Sequence, residues 1–299
     1  MNIAGAAASG DLSRICPLVS RTHESLGYGT TGTQIVNVGS VSFGAERPVV
    51  IAGPCSVESH VQTLELARAV KECGGDMLRG GAFKPRTSPH DFQGLGLEGL
   101  KILREVGRET GLPVVTEVMD TRLVEQVGEY ADMLQIGSRN MQNYPLLVEV
   151  GRYGKPVLLK RGMAASLCEW LGAAEYIAKE GNLQIVLCER GIKAYPSGEY
   201  SRFILDLNVI TAVKAETFLP VIVDPSHATG IASMVEPASR AAIESGCHGL
   251  LIEIASDRPG AAKPTCDAAQ AISPTTLERI VSFVGARHAY AEGKTAYAL

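Results

Sequence analysis

The chain has 299 residues, 45% of them hydrophobic and only 5% aromatic, enough apolar material for one large core. Its formal net charge of −4 argues against a nucleic-acid or anionic-membrane binder, so clustered Arg and Lys residues need a local reason, such as an anionic small molecule. Seven cysteines without a pairing rhythm fit a reducing cytoplasm, and no apolar stretch reaches the ~18 residues of a membrane span.

In chain order, residues 1–33 are small, polar and without sustained periodicity, which predicts a flexible N-terminal arm. The run IVNVGSVSF follows, two short alternating stretches around Gly39-Ser40, and predicts a hairpin that caps the bottom of what comes next. From Pro48 onward, short Val/Ile/Leu-rich runs alternate with segments of helical spacing. The runs are Val49–Ala52, Met77–Arg79, Val114–Glu117, Met133–Ile136, Val157–Lys160, Ile185–Cys188, Val221–Val223 and Leu250–Glu253. Runs this apolar read as strands buried on both faces, as in a parallel sheet. The intervening helices include VQTLELARAVKECG, whose Val61, Leu64, Leu66, Ala67 and Val70 form one stripe, and RFILDLNVITAVKAE. Many end in Gly just before the next strand. Such an alternation predicts an α/β chain folded as a (β/α)8 barrel over residues 34–299, hairpin included. A doubly wound open sheet is the competitor, but no G-x-G-x-x-G follows the first strand.

If the barrel closes, the residues just past the strand ends share one mouth. The second-strand loop, RGGAFKPRTSPH, carries Arg79, Lys84, Arg86, Thr87 and Ser88, and cations plus hydroxyls on a Gly/Pro-stiffened loop suit a phosphate or carboxylate. Arg139 after the fourth strand, Lys160 and Arg161 at the fifth, and Glu189 and Arg190 at the sixth predict a second anion site. Lys160 inside an apolar run must reach the mouth or pair with an acid. Cys55, His227, Glu253 and Asp267 form a mixed S/N/O set that suits a divalent transition metal, although each has a bland structural reading taken alone. Asp224 is a candidate to orient His227.

The strings GPCSVES, KPRTSPHDFQGLG, QIGSRNMQN, LKRGM, LCERGI and DPSHATG, in that order, resemble those of 3-deoxy-D-arabino-heptulosonate 7-phosphate (DAHP) synthases. The likeness is to the type I beta subtype, related to 3-deoxy-manno-octulosonate 8-phosphate synthases, and covers about residues 35–285. The resemblance implies a (β/α)8 transferase that condenses phosphoenolpyruvate with erythrose 4-phosphate, the first step of the shikimate route. It implies metal ligation by Cys55, His227, Glu253 and Asp267, with Mn, Fe, Co or Zn all compatible. It assigns phosphoenolpyruvate to Arg79, Lys84, Arg139, Lys160 and Arg190, and the aldose phosphate to Arg86 and Thr87, with Ser88 beside them. Lys84 is the candidate proton donor. The resemblance also implies a cytoplasmic homo-oligomer, dimer or tetramer, with no nucleic-acid or membrane partner and no built-in allosteric domain.

The chain departs from the family in three places. After the eighth strand the usual Glu-Val-His-Pro-Asp-Pro reads Glu253-Ile-Ala-Ser-Asp-Arg-Pro, without the His and with an insertion before Lys263; the usual Ser-Asp-Gly reads Cys266-Asp267-Ala268; and the loop ahead of Arg202 is longer. The altered loops after the sixth and eighth strands border the aldose side, which leaves three alternatives open. They are phosphoenolpyruvate condensation with another phosphorylated aldose such as arabinose 5-phosphate, a non-catalytic binding paralogue, and Schiff-base chemistry through Lys160.

Overall fold

The computed structural model describes residues 12–21, 32–84, 88, 90–193, 200, 202–258, 265, 266, 268–291 and 293. Arg86, Thr87 and Asp267 therefore lie outside the described residues. Strands β1 (Val36–Val38) and β2 (Val41–Phe43) pair antiparallel around Gly39, whose φ of 58° suits glycine at a two-residue turn. Val36, Val38, Val41 and Phe43 all point to the buried side of this hairpin.

Eight parallel strands follow, β3 (Val49–Gly53), β4 (Met77–Arg79), β5 (Val114–Glu117), β6 (Met133–Ile136), β7 (Val157–Lys160), β8 (Ile185–Glu189), β9 (Val221–Val223) and β10 (Gly249–Glu253). They close into a barrel through the pairing of β10 with β3. The interior is a layer of apolar side chains taken from all the strands, including Ile51, Met77, Val115, Met133, Leu158, Val186, Ile222 and Leu251. The buried face of the hairpin joins this cluster, so it plugs the N-terminal end and leaves only the opposite mouth open.

The main outer helices are α1 (His60–Glu72), α2 (Leu97–Thr110), α3 (Val124–Tyr130), α4 (Tyr144–Tyr153), α5 (Leu167–Lys179) and α6 (Asn208–Glu216), then, after a short α7 (Pro225–Thr229), α8 (Ala232–Glu244) and α9 (Pro274–Ala291). Local signals explain their ends: α5 starts on a Ser166/Glu169 capping box, and α2 stops at Gly111 in the left-handed conformation.

Two segments differ from the sequence reading. The helix expected from Arg202 begins only at Asn208, because Ile204 pairs with Ile192 instead and the Asp206 carboxylate accepts from the Val209 amide at 3.2 Å. Within the segment read as a loose arm, residues 12–21 pack against the barrel. Cys16 and Val19 are fully buried, the Glu175 carboxylate accepts from the Leu18 and Val19 amides, and Ser20 bridges to Thr217.

Candidate active site at the open mouth of the barrel

Parallel strands aim their last residues at the same end, and here those residues are charged. Arg79 closes β4, Lys160 closes β7, Glu189 closes β8 and Glu253 closes β10, and all four are buried. Burial of a lone charge is costly, so each must be paired. Arg79 Nη1 donates to Glu253 Oε1, and Lys160 Nζ donates to Asp224 Oδ2. Arg161, expected at an anion site, turns away instead: its Nη1 donates to Glu189 at 3.0 Å and to Asp206 at 2.9 Å, and its guanidinium lies over Trp170. It braces the wall behind the site.

Lys84 reaches the mouth by folding back under its own loop. Its Nζ donates to the Cys55 carbonyl and lies 3.1 Å from Cys55 Sγ. A Cβ on Gly81 would sit 2.7 Å from Lys84 Cδ, so this route requires glycine at that position.

Arg79, Lys84, Arg139, Lys160, Arg190 and His227 surround one cavity of about 230 Å³, which Glu117, Gln135, Asp91, Arg202 and Phe203 also line. Arg190 stacks on the Phe203 ring at 4.1 Å, and its buried Nε and Nη1 have no hydrogen-bond partner among the described residues. Arg79 Nε is in the same condition. Guanidinium N–H groups left unpaired at a buried cavity wall are the donors an oxyanion would satisfy. Burial pulls the Arg190 guanidinium below its ordinary range and Asp224 opposes this, so an incoming anion is favoured there.

His227 sits on α7, capped by Asp224, whose Oδ1 accepts from the His227 amide at 2.9 Å. The other Asp224 oxygen lies 2.7 Å from Nδ1. An ionised carboxylate only accepts, so Nδ1 carries the proton and Nε2 presents its lone pair toward Glu253 Oε1, 3.4 Å away. Burial, above all, lowers the His227 pKa and keeps the ring neutral, although Asp224 opposes it. Burial would raise the Glu253 carboxyl, but His227, which protonates in the acid range where Glu253 titrates, and the cations Arg79 and Lys84 hold it at about 2. The Cys55 thiol is pushed well up, first by its hydrogen bond with Cys266, whose Sγ lies 3.5 Å away, and then by burial.

Among the described residues, no group of three or more His, Cys, Asp and Glu side chains is gathered tightly enough to hold an ion on its own. Lys84 and Cys266 engage the Cys55 sulfur, while Arg79 and Gln270 engage Glu253. The donor chemistry nonetheless fits a divalent transition metal. A thiol, a neutral imidazole with its tautomer fixed by a carboxylate, and an ionised carboxylate lie around one corner of the mouth.

Sequence reasoning singled out most of the basic lining. Ser88, also expected there, accepts from the His90 amide at 3.3 Å and does not line the cavity. Glu117, Gln135, Phe203 and Gln270 were not foreseen as site residues. Gln135 had a signal, an amide inside the apolar run MLQI, whereas Gln270 lies in a loop with no pattern around it.

A closed parallel barrel with one plugged end, and an open end whose cavity gathers several cationic side chains, defines a barrel enzyme acting on anionic small molecules. A sequence model of the DAHP synthetase I family matches residues 29–290, and the chain belongs to that family. It is 44% identical over 247 residues to a phospho-2-dehydro-3-deoxyheptonate aldolase of Thermotoga maritima, covering 83% of this chain and 72% of the relative. It is 33% identical over 279 residues to a 2-dehydro-3-deoxyphosphooctonate aldolase of Syntrophotalea carbinolica, covering 87% of this chain and 98% of that one. The crystal structure of a Thermotoga maritima phospho-2-dehydro-3-deoxyheptonate aldolase (DAHP synthase) superposes with a TM-score of 0.84 at 42% identity, covering 92% of this chain and 77% of that one.

Proposed function

We propose that the chain is a 3-deoxy-7-phosphoheptulonate synthase, condensing phosphoenolpyruvate with erythrose 4-phosphate to give DAHP and phosphate at the entry to aromatic amino acid biosynthesis. The observation that carries this reading is the convergence of Arg79, Lys84, Arg139, Lys160 and Arg190 on one cavity of about 230 Å³ at the barrel mouth. Phosphoenolpyruvate brings a carboxylate and a phosphate, and the aldose brings a second phosphate. Two unit charges 4 Å apart repel by roughly 4 kcal/mol at an effective dielectric near 20, so several fixed cations are needed to hold them together.

Within this reading, Arg190 and Arg79 offer their unpaired N–H groups to phosphoenolpyruvate, and Lys160 and Arg139 face the same cavity. Lys84, whose pKa is raised by the acidic Cys55 and Glu253 side chains beside it despite its burial, is the group that hands a proton to the developing alkoxide. Water then adds at the carbon bearing the phosphate, which leaves by C–O cleavage. Cys55, His227, Glu253 and Asp267 are the residues that hold the divalent metal, which when bound supplies a Lewis acid for the aldehyde oxygen. Arg86, Thr87 and Ser88 are the proposed cradle for the aldose phosphate. None of the helices among the described residues is long and apolar enough to cross a membrane, and a cytoplasmic homo-oligomer fits the family.

The heptulosonate reading is preferred to the octulosonate one because identity to the former relative is 44%, against 33% for the latter. A substrate panel tests it. Given phosphoenolpyruvate and metal, erythrose 4-phosphate should turn over with a kcat/KM at least tenfold above that of arabinose 5-phosphate. Faster use of the five-carbon sugar would overturn the assignment.

A further inference from the structure

The loop after β10 returns to the mouth and pairs with the strand's own continuation. The Ile272 amide donates to the Glu253 carbonyl at 2.9 Å and the Ala255 amide to the Ile272 carbonyl at 3.0 Å, so Ile254 and Ile272 form a parallel bridge. This strap holds Gln270, only 1% exposed, against the end of β10. Both ends of its amide are used. Nε2 donates to Glu253 Oε2 at 2.5 Å, and Oε1 accepts from Arg202 Nη1 at 2.5 Å. The two partners fix which end of the amide is which, since a carboxylate only accepts and a guanidinium only donates.

Arg202 is itself placed with little slack. A Cβ on Gly230, which ends the His227 helix with a φ of 72°, would lie 2.6 Å from Arg202 Cδ. Its guanidinium lies 5.8 Å from the Phe203 ring and lines the anion cavity. The Glu253 carboxylate is thus clamped at both oxygens, by Arg79 at Oε1 and by Gln270 at Oε2.

We propose that Gln270 is a positioning residue for the metal centre: its amide holds the Glu253 carboxylate in the rotation needed for ligation and ties that carboxylate to Arg202 at the substrate cavity. This inference rests on the reading that Glu253 is a metal ligand. Partners behind metal ligands typically change metal affinity by about 10–100-fold when removed. Gln270→Glu is the discriminating variant, because it keeps the size and still accepts from Arg202 but replaces the donor to Glu253 with a second carboxylate oxygen. Gln270→Met removes both bonds at similar volume.

The test is the affinity of the purified chain for Co²⁺, read by competition with a chromogenic chelator, alongside the melting temperature without metal. Cys55→Ala serves as the control for site-specific binding. The expected result is at least tenfold weaker Co²⁺ binding by both Gln270 variants, with metal-free melting of Gln270→Met within a few degrees of wild type. Cys55-dependent binding that is equally tight in wild type and in both variants would overturn the role of Gln270 alone. Absence of Cys55-dependent binding in the wild type would overturn it together with the metal reading.

Discussion

Replacing Lys160 with Met leaves the Asp224 carboxylate, which is 0% exposed, without its cation in a site built for an ion pair. Removing one partner of a buried pair costs about 3–5 kcal/mol, because the remaining charge is uncompensated. The lower end applies here, since Asp224 keeps its bonds to the His227 amide and ring. At roughly 2.1 cal/mol/K of unfolding entropy per residue, a chain of 299 residues has about 0.6 kcal/mol/K, so a loss of about 3 kcal/mol should lower the melting temperature by about 5 °C. The sign with pH follows from the same pair. In the wild type the Asp224 carboxyl lies well below its ordinary value even though burial opposes this, with His227, once protonated in acid, and Lys160 the leading favourable charges. Its stabilising contribution is therefore present at neutral pH and lost as pH falls through that low value. In Lys160→Met the carboxyl loses one of the charges that hold it down and moves up from its wild-type value, so the deficit should be largest near pH 8 and shrink as pH falls. Melting followed by circular dichroism from pH 5 to 8 measures both effects. Lys160→Met/Asp224→Asn should recover most of the loss. Melting of the single variant within about 1 °C of wild type at pH 8, or no recovery in the double, would refute the pairing argument.

Arg190→Met removes a buried guanidinium with unpaired N–H groups, so the KM for phosphoenolpyruvate should rise at least tenfold while melting holds or improves. Steady-state kinetics with thermal melting checks this, and an unchanged KM would move the anion elsewhere. His248 accepts from the Val221 amide at 3.0 Å through Nδ1, and burial first, with Lys214, holds its pKa at about 4, against an ordinary 6.5. A base depressed on folding stabilises above its unfolded pKa, and that stability is lost as pH falls from about 6.5 to 4. The ring is only partly buried, so His248→Gln, which keeps an acceptor, should flatten this acid decline by about 1–3 kcal/mol in urea titrations. An equally steep decline would assign the acid sensitivity to other groups.

The barrel was legible because strands buried on both faces must be apolar throughout, and the eight runs read from sequence coincide with β3 to β10 to within a residue at either end. The cation cluster was legible for a related reason: a charge at the end of such a run has only the mouth to face. Arg161 shows the limit of that rule, since the same position allows a turn outward to Glu189 and Asp206, and their placement depends on the tertiary path of residues 202–207. Gln270 was invisible because its partners are 17 and 68 positions away and its loop has no periodicity. The packing of residues 12–21 was equally hidden, because it relies on Glu175 and Thr217 on distant elements.

Metal-loaded protein incubated with equimolar phosphoenolpyruvate and erythrose 4-phosphate, with product quantified by mass spectrometry alongside released phosphate, probes the condensation itself. The expected yield is one seven-carbon keto acid phosphate and one phosphate per phosphoenolpyruvate consumed, with both abolished by EDTA and restored by added divalent metal. Phosphate release without the seven-carbon product, or full turnover in EDTA, would contradict the proposed condensation.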